Sequence, residues 1–385
     1  MHVGIVAPCS SGLLADLLPD SGGVDLGCGG YLIATLVRAL VQRQHRVSVI
    51  TLSPEIEGPI TLMGPNLQYC VYPMRTSKRM RDLYKLERQG LREGIGLAKP
   101  DVLHAHWTYE FALACMETSL PAVITTHDNA FQVFRFCRDL YRLGRLYLQI
   151  RVIRKARWLT AVSPYLAYSL RWLARTEIAI IPNPIEVSEK LKEVAAIVPH
   201  PLRVATVLNG WGHRKNPKAA LRAFALLRRE VPDAQMYMYG ADFEAGGVAA
   251  RWAMKKRLAR NIHFCGFLPH HELQQALSRM SLLLHPALEE SFGMVLVEAM
   301  ALGLPVIAGG ASGGVPWVLN DGRAGYLTDV TDPEAIARTL LTCIEQVEDR
   351  QRRQKAAYQR VLSLFSPDAV AARYETIYEK AVALQ

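Results

Sequence analysis

Residues 281–302 read SLLLHPALEESFGMVLVEAMAL. The apolar run Ser281–Ala287 predicts a buried strand, and Val295–Leu302 predicts a helix. Glu290 then falls on the turn between them, and Glu298 lies inside the helix, eight residues further on. Ser291 to Met294 make the crossing, with Gly293 free to take a backbone shape that other residues resist. The first turn of a helix carries unpaired backbone N–H groups and the positive end of the dipole, which suits a phosphate or diphosphate. Phe292, Gly293, Met294 and Val295 are therefore candidate binding positions. With a carboxylate on each side of the bound anion, sugar hydroxyls could be gripped. Taken alone, the stretch reads about equally well as two surface glutamates at a strand-to-helix join.

Outward from this stretch the whole chain alternates short apolar runs with helical patterns. The first half offers strands at Val3–Ala7, Val47–Leu52, Tyr69–Tyr72, Val102–His106, Ala122–Thr126, Leu159–Val162 and Ile178–Ile181. The second half offers Arg203–Leu208, Gln235–Tyr239, Ile262–Cys265, Leu282–His285, Val306–Ala308 and Gly325–Leu327. Such alternation implies α/β architecture with parallel sheets covered on both faces. Two sets imply two Rossmann-like, doubly wound domains, with Pro182–Pro201 as the link. Ligands bind at the carboxyl ends of such strands, so two facing domains would put the active site in the cleft between them. Pro367–Leu384 carries apolar residues at helical spacing.

The composition is that of an ordinary globular protein of two or three domains: 385 residues, half of them apolar. No apolar run reaches the roughly 18 to 20 residues that span a bilayer. The opening MHVGIVAPCSSGLLADLLPD has neither a basic leader nor a long apolar stretch, so a secretory signal is not expected. Seven cysteines, none in a C-x-x-C pair, point to reduced thiols in the cytoplasm. The formal charge of +10 favours anionic partners. No RNP-like motif, zinc finger or helix-turn-helix pattern supports nucleic acid among them.

Four further motifs carry chemistry. Gly29-Gly30 precedes a helical pattern that runs to Gln42, and a glycine pair lets backbone approach a phosphate or sugar closely, although an ordinary turn explains it as well. His104, His106 and His127 lie at the ends of two strands, the first two on one strand face. A metal site is the weaker reading of the three, because no carboxylate or cysteine spacing completes one. Arg214-Lys215 follows the first strand of the second half and reads either as a phosphate-binding loop or as a solvated basic loop. Phe264-Cys265-Gly266-Phe267-Leu268 ends another strand.

Glu289–Ile307, EESFGMVLVEAMALGLPVI, resembles the E-x7-E signature of the retaining glycosyltransferases of family 4, which have the GT-B fold. The resemblance extends over nearly the whole chain: the glycine loop, D-V-L-H-A-H at 101–106, T-T-H-D at 125–128, A-V-S-P at 161–164 and I-P-N-P at 181–184. It implies an acceptor domain at 1–185, a nucleotide-sugar donor domain at 186–366, and a last helix at 367–385 that crosses back. It implies Glu290 facing the donor sugar, Glu298 on the ribose, Lys215 on the diphosphate, and Leu268 near the base. It makes His127 the first-domain catalytic candidate and His106 a weaker one, with Gly29 and Gly30 the matching glycine-loop positions. Two positions depart from the family pattern. Pro184 stands where glycine is usual, and the diphosphate-binding arginine is replaced by Asn209 or Gly210, leaving Arg214 to compensate.

The implied activity is a metal-independent hexosyltransfer (EC 2.4) from a nucleoside-diphosphate sugar to a hydroxyl acceptor, in polysaccharide, lipopolysaccharide or glycolipid synthesis, with no cofactor. Fixed charges would stabilise the leaving diphosphate while Glu290 faces an oxocarbenium-like sugar. A sugar-nucleotide epimerase or phosphorylase of the same fold, and a catalytically silent binding subunit, stay open. Ala130–Arg157 mixes eight basic residues with aromatics, and Arg75–Arg92 is a second basic stretch. The first segment reads slightly better as a solvated helix with an apolar inner side than as a peripheral contact with the inner membrane face, which would make the acceptor lipid-linked.

Overall fold

The computed structural model describes residues 1–19, 25–187 and 201–384. It divides into two compact units, one of residues 1–184 together with 367–385, the other of 185–366. Of the proposed link 182–201, residues 188–200 lie outside the described part.

In the first unit the chain runs β1 (His2–Val6), α1 (Tyr31–Gln42), β2 (Arg46–Ser53), β3 (Ile60–Met63), β4 (Leu67–Pro73), α2 (Lys85–Ala98), β5 (Val102–His106), α3 (Glu110–Met116), β6 (Ala122–Thr126), α4 (Ala130–Phe136), α5 (Leu140–Lys155), β7 (Trp158–Ala161), α6 (Pro164–Leu170) and β8 (Ile178–Ile180). The sheet order is β3-β4-β2-β1-β5-β6-β7-β8. All neighbours are parallel except β3, which pairs antiparallel with β4. The sequence reading missed β3, since its side chains are mostly exposed and show no buried alternation. The basic segment 130–157 is two helices rather than one. Asn129 caps α4 and Asp139 caps α5, each accepting backbone N–H bonds in the first turn.

The second unit contains β9 (Arg203–Val207), α7 (Pro217–Glu230), β10 (Gln235–Tyr239), α8 (Val248–Lys255), β11 (Ile262–Gly266), α9 (His270–Leu277), β12 (Leu282–His285), α10 (Met294–Ala301), β13 (Val306–Gly309), α11 (Val315–Val318), β14 (Tyr326–Thr328), α12 (Pro333–Glu345) and α13 (Val347–Arg360). Its sheet is wholly parallel, in the order β11-β10-β9-β12-β13-β14. The last helix, α14 (Pro367–Ala383), belongs to the first unit, where Val370, Ala371, Tyr374, Tyr378 and Ala381 join the core of α1, β1 and β2. Arg43 and His45 fasten it by way of Glu375, at 2.6 and 2.8 Å.

Both sheets are doubly wound α/β, and each has one switch point where the chain leaves its first strand in the opposite direction. It lies between β1 and β5 in the first unit and between β9 and β12 in the second. Open α/β sheets bind ligands at the carboxyl ends of the strands flanking such a switch point. The motif residues lie at those ends: Gly29 and Gly30 in a loop and His106 as the last residue of β5 in one unit, Arg214, Lys215 and Glu290 in loops of the other.

Candidate active site

In the second unit, β12 hands the chain to a loop that ends at Gly293, the N-cap of α10, in the left-handed region at φ 84°. A Cβ there would also come within 2.8 Å of Leu296, so the turn requires glycine. The loop is held from behind. Ser312 Oγ donates to the Ala287 carbonyl at 2.6 Å, and the Gly314 N–H donates to the Glu290 carbonyl at 2.8 Å.

Glu290 is almost buried. Its carboxylate accepts from Lys215 Nζ and lies 3.2 Å from His285 Nε2. Burial alone would push its carboxyl up. The hydrogen bond to His285 and the charge of Lys215 outweigh it, and the group is held well below the usual carboxylate range. Glu289 behaves oppositely. Burial raises it, with Arg214 opposing, and Arg214 Nη1 reaches its Oε2 at 3.2 Å and its carbonyl at 3.3 Å. Arg214 is thus committed to Glu289, while Lys215 is committed to Glu290. Both cations sit in one short turn, 213–215, closed by Asn216, whose side-chain amide donates to the carbonyls of Pro286 (3.2 Å) and Val330 (2.7 Å). Asn216 therefore ties the basic loop to the glutamate loop.

Glu298 is buried on α10, with His270 Nε2 3.3 Å from its Oε1. His270 opens α9, and Leu268, half-buried, lies in the loop just before it. Phe292 departs from the expected arrangement. Its side chain is only 3 % exposed and packs against Phe365 (5.5 Å) and Trp317, so it contributes packing to the turn and leaves ligand contact to the backbone. Asn209 and Gly210 supply no cation, and the Trp211 N–H is bound to Asp242 at 2.9 Å.

The first unit's switch point is built from neutral rings. His104 is fully buried on β5, with Nδ1 2.6 Å from the Tyr378 hydroxyl and Nε2 2.7 Å from Thr125 Oγ1. Thr125 in turn meets Thr160 (2.6 Å) and Tyr374 (3.1 Å). His106 Nδ1 lies 2.9 Å from His127 Nε2, with the rings stacked at 5.1 Å. One proton is shared in that contact, so the tautomer of one ring fixes that of the other. Burial drives both His104 and His127 down to about 3, with the Asn183 side chain beside His127 opposing the fall, and drives His106 well down too. Trp107 packs its ring 4.5 Å from His127 and adopts φ 66°, an uncommon backbone conformation for a bulky residue. Gly29 and Gly30 have φ of 60° and 83°, and a Cβ on Gly30 would run into the Pro8 carbonyl. The three histidines spend nitrogens on one another, Tyr378 and Thr125, and among the described residues no cluster of three or more ligating side chains could hold a metal ion.

The sequence reading did not assign His285, His270, Asn216 or Asn183. His285 ends a wholly apolar strand one step before the motif loop, which is the one signal that could have found it.

Two family models match the chain: "Glycosyltransferase Family 4" over residues 29–189 and "Glycosyl transferases group 1" over 197–360. N-acetyl-alpha-D-glucosaminyl L-malate synthase of Bacillus anthracis is 24 % identical, covering 92 % of this chain and 94 % of that protein. Sucrose-phosphate synthase of Thermosynechococcus elongatus superposes over 100 % of both chains with a TM-score of 0.76 at 17 % identity. HepE of Anabaena, solved in complex with UDP, matches 99 % of this chain and 100 % of its own with a TM-score of 0.67, also at 17 % identity. Those likenesses establish the GT-B fold, and the two models lie one in each half and together span most of the sequence: the chain belongs to the family 4, group 1 glycosyltransferases.

Proposed function

We propose that the enzyme moves a sugar from a nucleoside-diphosphate sugar to a hydroxyl acceptor, with retention at the anomeric carbon and without a metal ion. The observation that carries this reading is the Lys215–Glu290–His285 arrangement at the β9/β12 switch point. It supplies a fixed cation for a leaving diphosphate beside a carboxylate held ionised for a positively charged sugar. Lys215, Arg214 and the backbone N–H groups of Gly293, Met294 and Val295 would take the developing negative charge. Glu290, already bound to two groups, acts as a charge rather than as a nucleophile. The acceptor oxygen then forms its bond on the face from which the diphosphate departs, and its proton passes to a phosphate oxygen or to neutral His127. Glu298, oriented by His270, would grip the ribose, with Leu268 at the base. The donor half is 186–366. The acceptor half is 1–185 with helix 367–385, where Gly29, Gly30 and His106 support His127. Seven unpaired cysteines favour a reducing compartment such as the cytoplasm.

A specific observation also favours peripheral membrane contact and a lipid-linked acceptor. α5 exposes Leu140 (84 %), Tyr141 (46 %), Leu143 (48 %) and Tyr147 (54 %), where a solvated helix would turn such side chains inward. No helix among the described residues is long and apolar enough to cross a membrane.

A thermal-shift panel of UDP-, GDP-, ADP- and TDP-sugars in EDTA tests the donor reading. A ligand at 100 times its Kd adds about 2.7 kcal/mol, which raises Tm by roughly 5 to 10 °C. The expected result is a shift with one nucleotide family that disappears in Glu298→Ala. No shift with any of them, at concentrations that support turnover, would refute it.

A further inference from the structure

A cavity of 420 Å³ opens on the first unit, far from the motif loops, between the C-terminal half of α5 and the chain leading into β8. Its walls are Tyr147, Ile150, Arg151, Arg154, Lys155 and Arg175. Four of the six are cations. Among the described residues no hydrogen bond or ion pair joins any of these four to a carboxylate. Some other basic residues of the unit do have carboxylate partners. Arg75 is paired with Asp82 and Glu87, and Arg88 and Arg92 share Glu117. Arg88, held below the usual arginine range first by its own burial, is pushed further down by Arg151, so the charges here crowd one another.

The dipole of α5 accounts for Arg154 and Lys155, which stand in its last turn. It does not account for Arg151 one turn earlier, nor for Arg175, which comes from a separate segment and lines the same cavity. Like charges converge on a concave surface at a cost that a bound anion would remove. The location separates this cavity from the catalytic machinery. Lys155 and Arg175 immediately precede β7 and β8, so the cavity lies at the amino edge of the sheet, whereas His127 follows β6 at the carboxyl edge.

We propose that this cavity is a second anion site that binds a phosphate ester. The four cations hold the phosphate, while Tyr147 and Ile150 offer an apolar wall to whatever the phosphate carries. The volume exceeds what one phosphate fills and matches a small-molecule pocket. A phospholipid headgroup and a free phosphorylated metabolite share this chemistry. The site does not depend on the exposed apolar face of α5 meeting a bilayer, nor on the assignment of the donor site.

The test uses the full chain, the double variant Arg154→Glu/Lys155→Glu, and Lys215→Ala as a control that disables the proposed donor site. Two probes are titrated: inorganic diphosphate by calorimetry, and phosphatidylcholine vesicles with and without phosphatidylglycerol by sedimentation. Diphosphate binding that survives Lys215→Ala and weakens at least about tenfold in the double variant establishes a free phosphate-ester site. Binding to phosphatidylglycerol vesicles alone, lost in the double variant, establishes a headgroup site. In both cases the double variant keeps its melting temperature and its transfer rate to a soluble acceptor. Failure to bind either probe, or equal binding by the double variant, overturns the proposal.

Discussion

The two switch points occupy the same topological position and solve opposite electrostatic problems. At the β9/β12 end, two adjacent glutamates each have a cation: Lys215 for Glu290, Arg214 for Glu289. Burial is outweighed at Glu290, and a full negative charge persists inside the protein. At the β1/β5 end, His104 and His106 are buried and His127 is half-buried, none has a carboxylate partner among the described residues, and desolvation keeps the rings neutral. A charged site stabilises charge as it develops, whereas a neutral imidazole can accept a proton. The difference fits a donor half and an acceptor half.

The comparison breaks most visibly at Glu290. Glu290→Gln keeps the shape and removes the charge, and transfer should fall about 10³-fold with the circular dichroism spectrum unchanged. Near-normal kcat in that variant would remove Glu290 from the mechanism. His127→Ala should lower kcat by about 10²- to 10³-fold while leaving donor-induced thermal shifts intact. Loss of the thermal shift instead would move His127 to the donor side.

Acid should separate the two units. A histidine whose folded pKa is depressed binds its proton more readily in the unfolded chain. Its contribution is fully present above the unfolded value of 6.5 and declines as pH falls toward about 3, at about 1.4 kcal/mol per pH unit for each ring. The depressed Glu290 costs nothing until pH drops below its unfolded value of 4.5, and the raised Glu289 gains stability just above that value, as pH falls through its folded pKa toward 4.5. Hydrogen exchange between about pH 7 and 5 should therefore show the first unit losing protection before the second. Parallel loss in both units would contradict the contrast. Tyr378→Phe is a smaller perturbation. It leaves His104 Nδ1 buried without its partner and should cost about 1–3 kcal/mol in chemical denaturation, with kcat nearly unchanged. Gly29→Ala is the mildest: φ is positive but the space is open, so about 1 kcal/mol is expected, and Gly30→Ala, facing the Pro8 carbonyl, should cost more.

The parallel strands were legible because both faces of a central strand are buried, so each announces itself as a continuous apolar run, as at Leu282–His285 and Val102–His106. β3 was not, since an exposed edge strand owes its pairing to β4 and not to its own side chains. Glu290, Glu298 and Lys215 were readable as charges placed at predicted strand ends. Their partner His270 was not, because its meeting with Glu298 depends on the α9 approach, which local spacing does not encode, whereas His285 stands only five residues before Glu290 and was within reach of a local reading. Asn183 carried no role because Pro184 departs from the family pattern beside it, and its place next to His127, distant in sequence, comes only from the fold. The packing of the Phe292 side chain was not legible, because an aromatic residue beside a glycine turn gives no sign of Phe365 behind it.

The placement of Tyr374 and Tyr378 bears on how the chain is born. Their hydroxyls complete the hydrogen bonding of Thr125 and His104, yet they leave the ribosome only after all of residues 185–366. At roughly 5 to 20 residues per second, the first unit waits on the order of ten to forty seconds with buried polar atoms unmatched and one side of α1 and β1 uncovered. The second unit, continuous in sequence, can close first. A nascent chain stalled before residue 367 should therefore present a finished second unit and an unfinished first one, a natural substrate for chaperones during every round of synthesis.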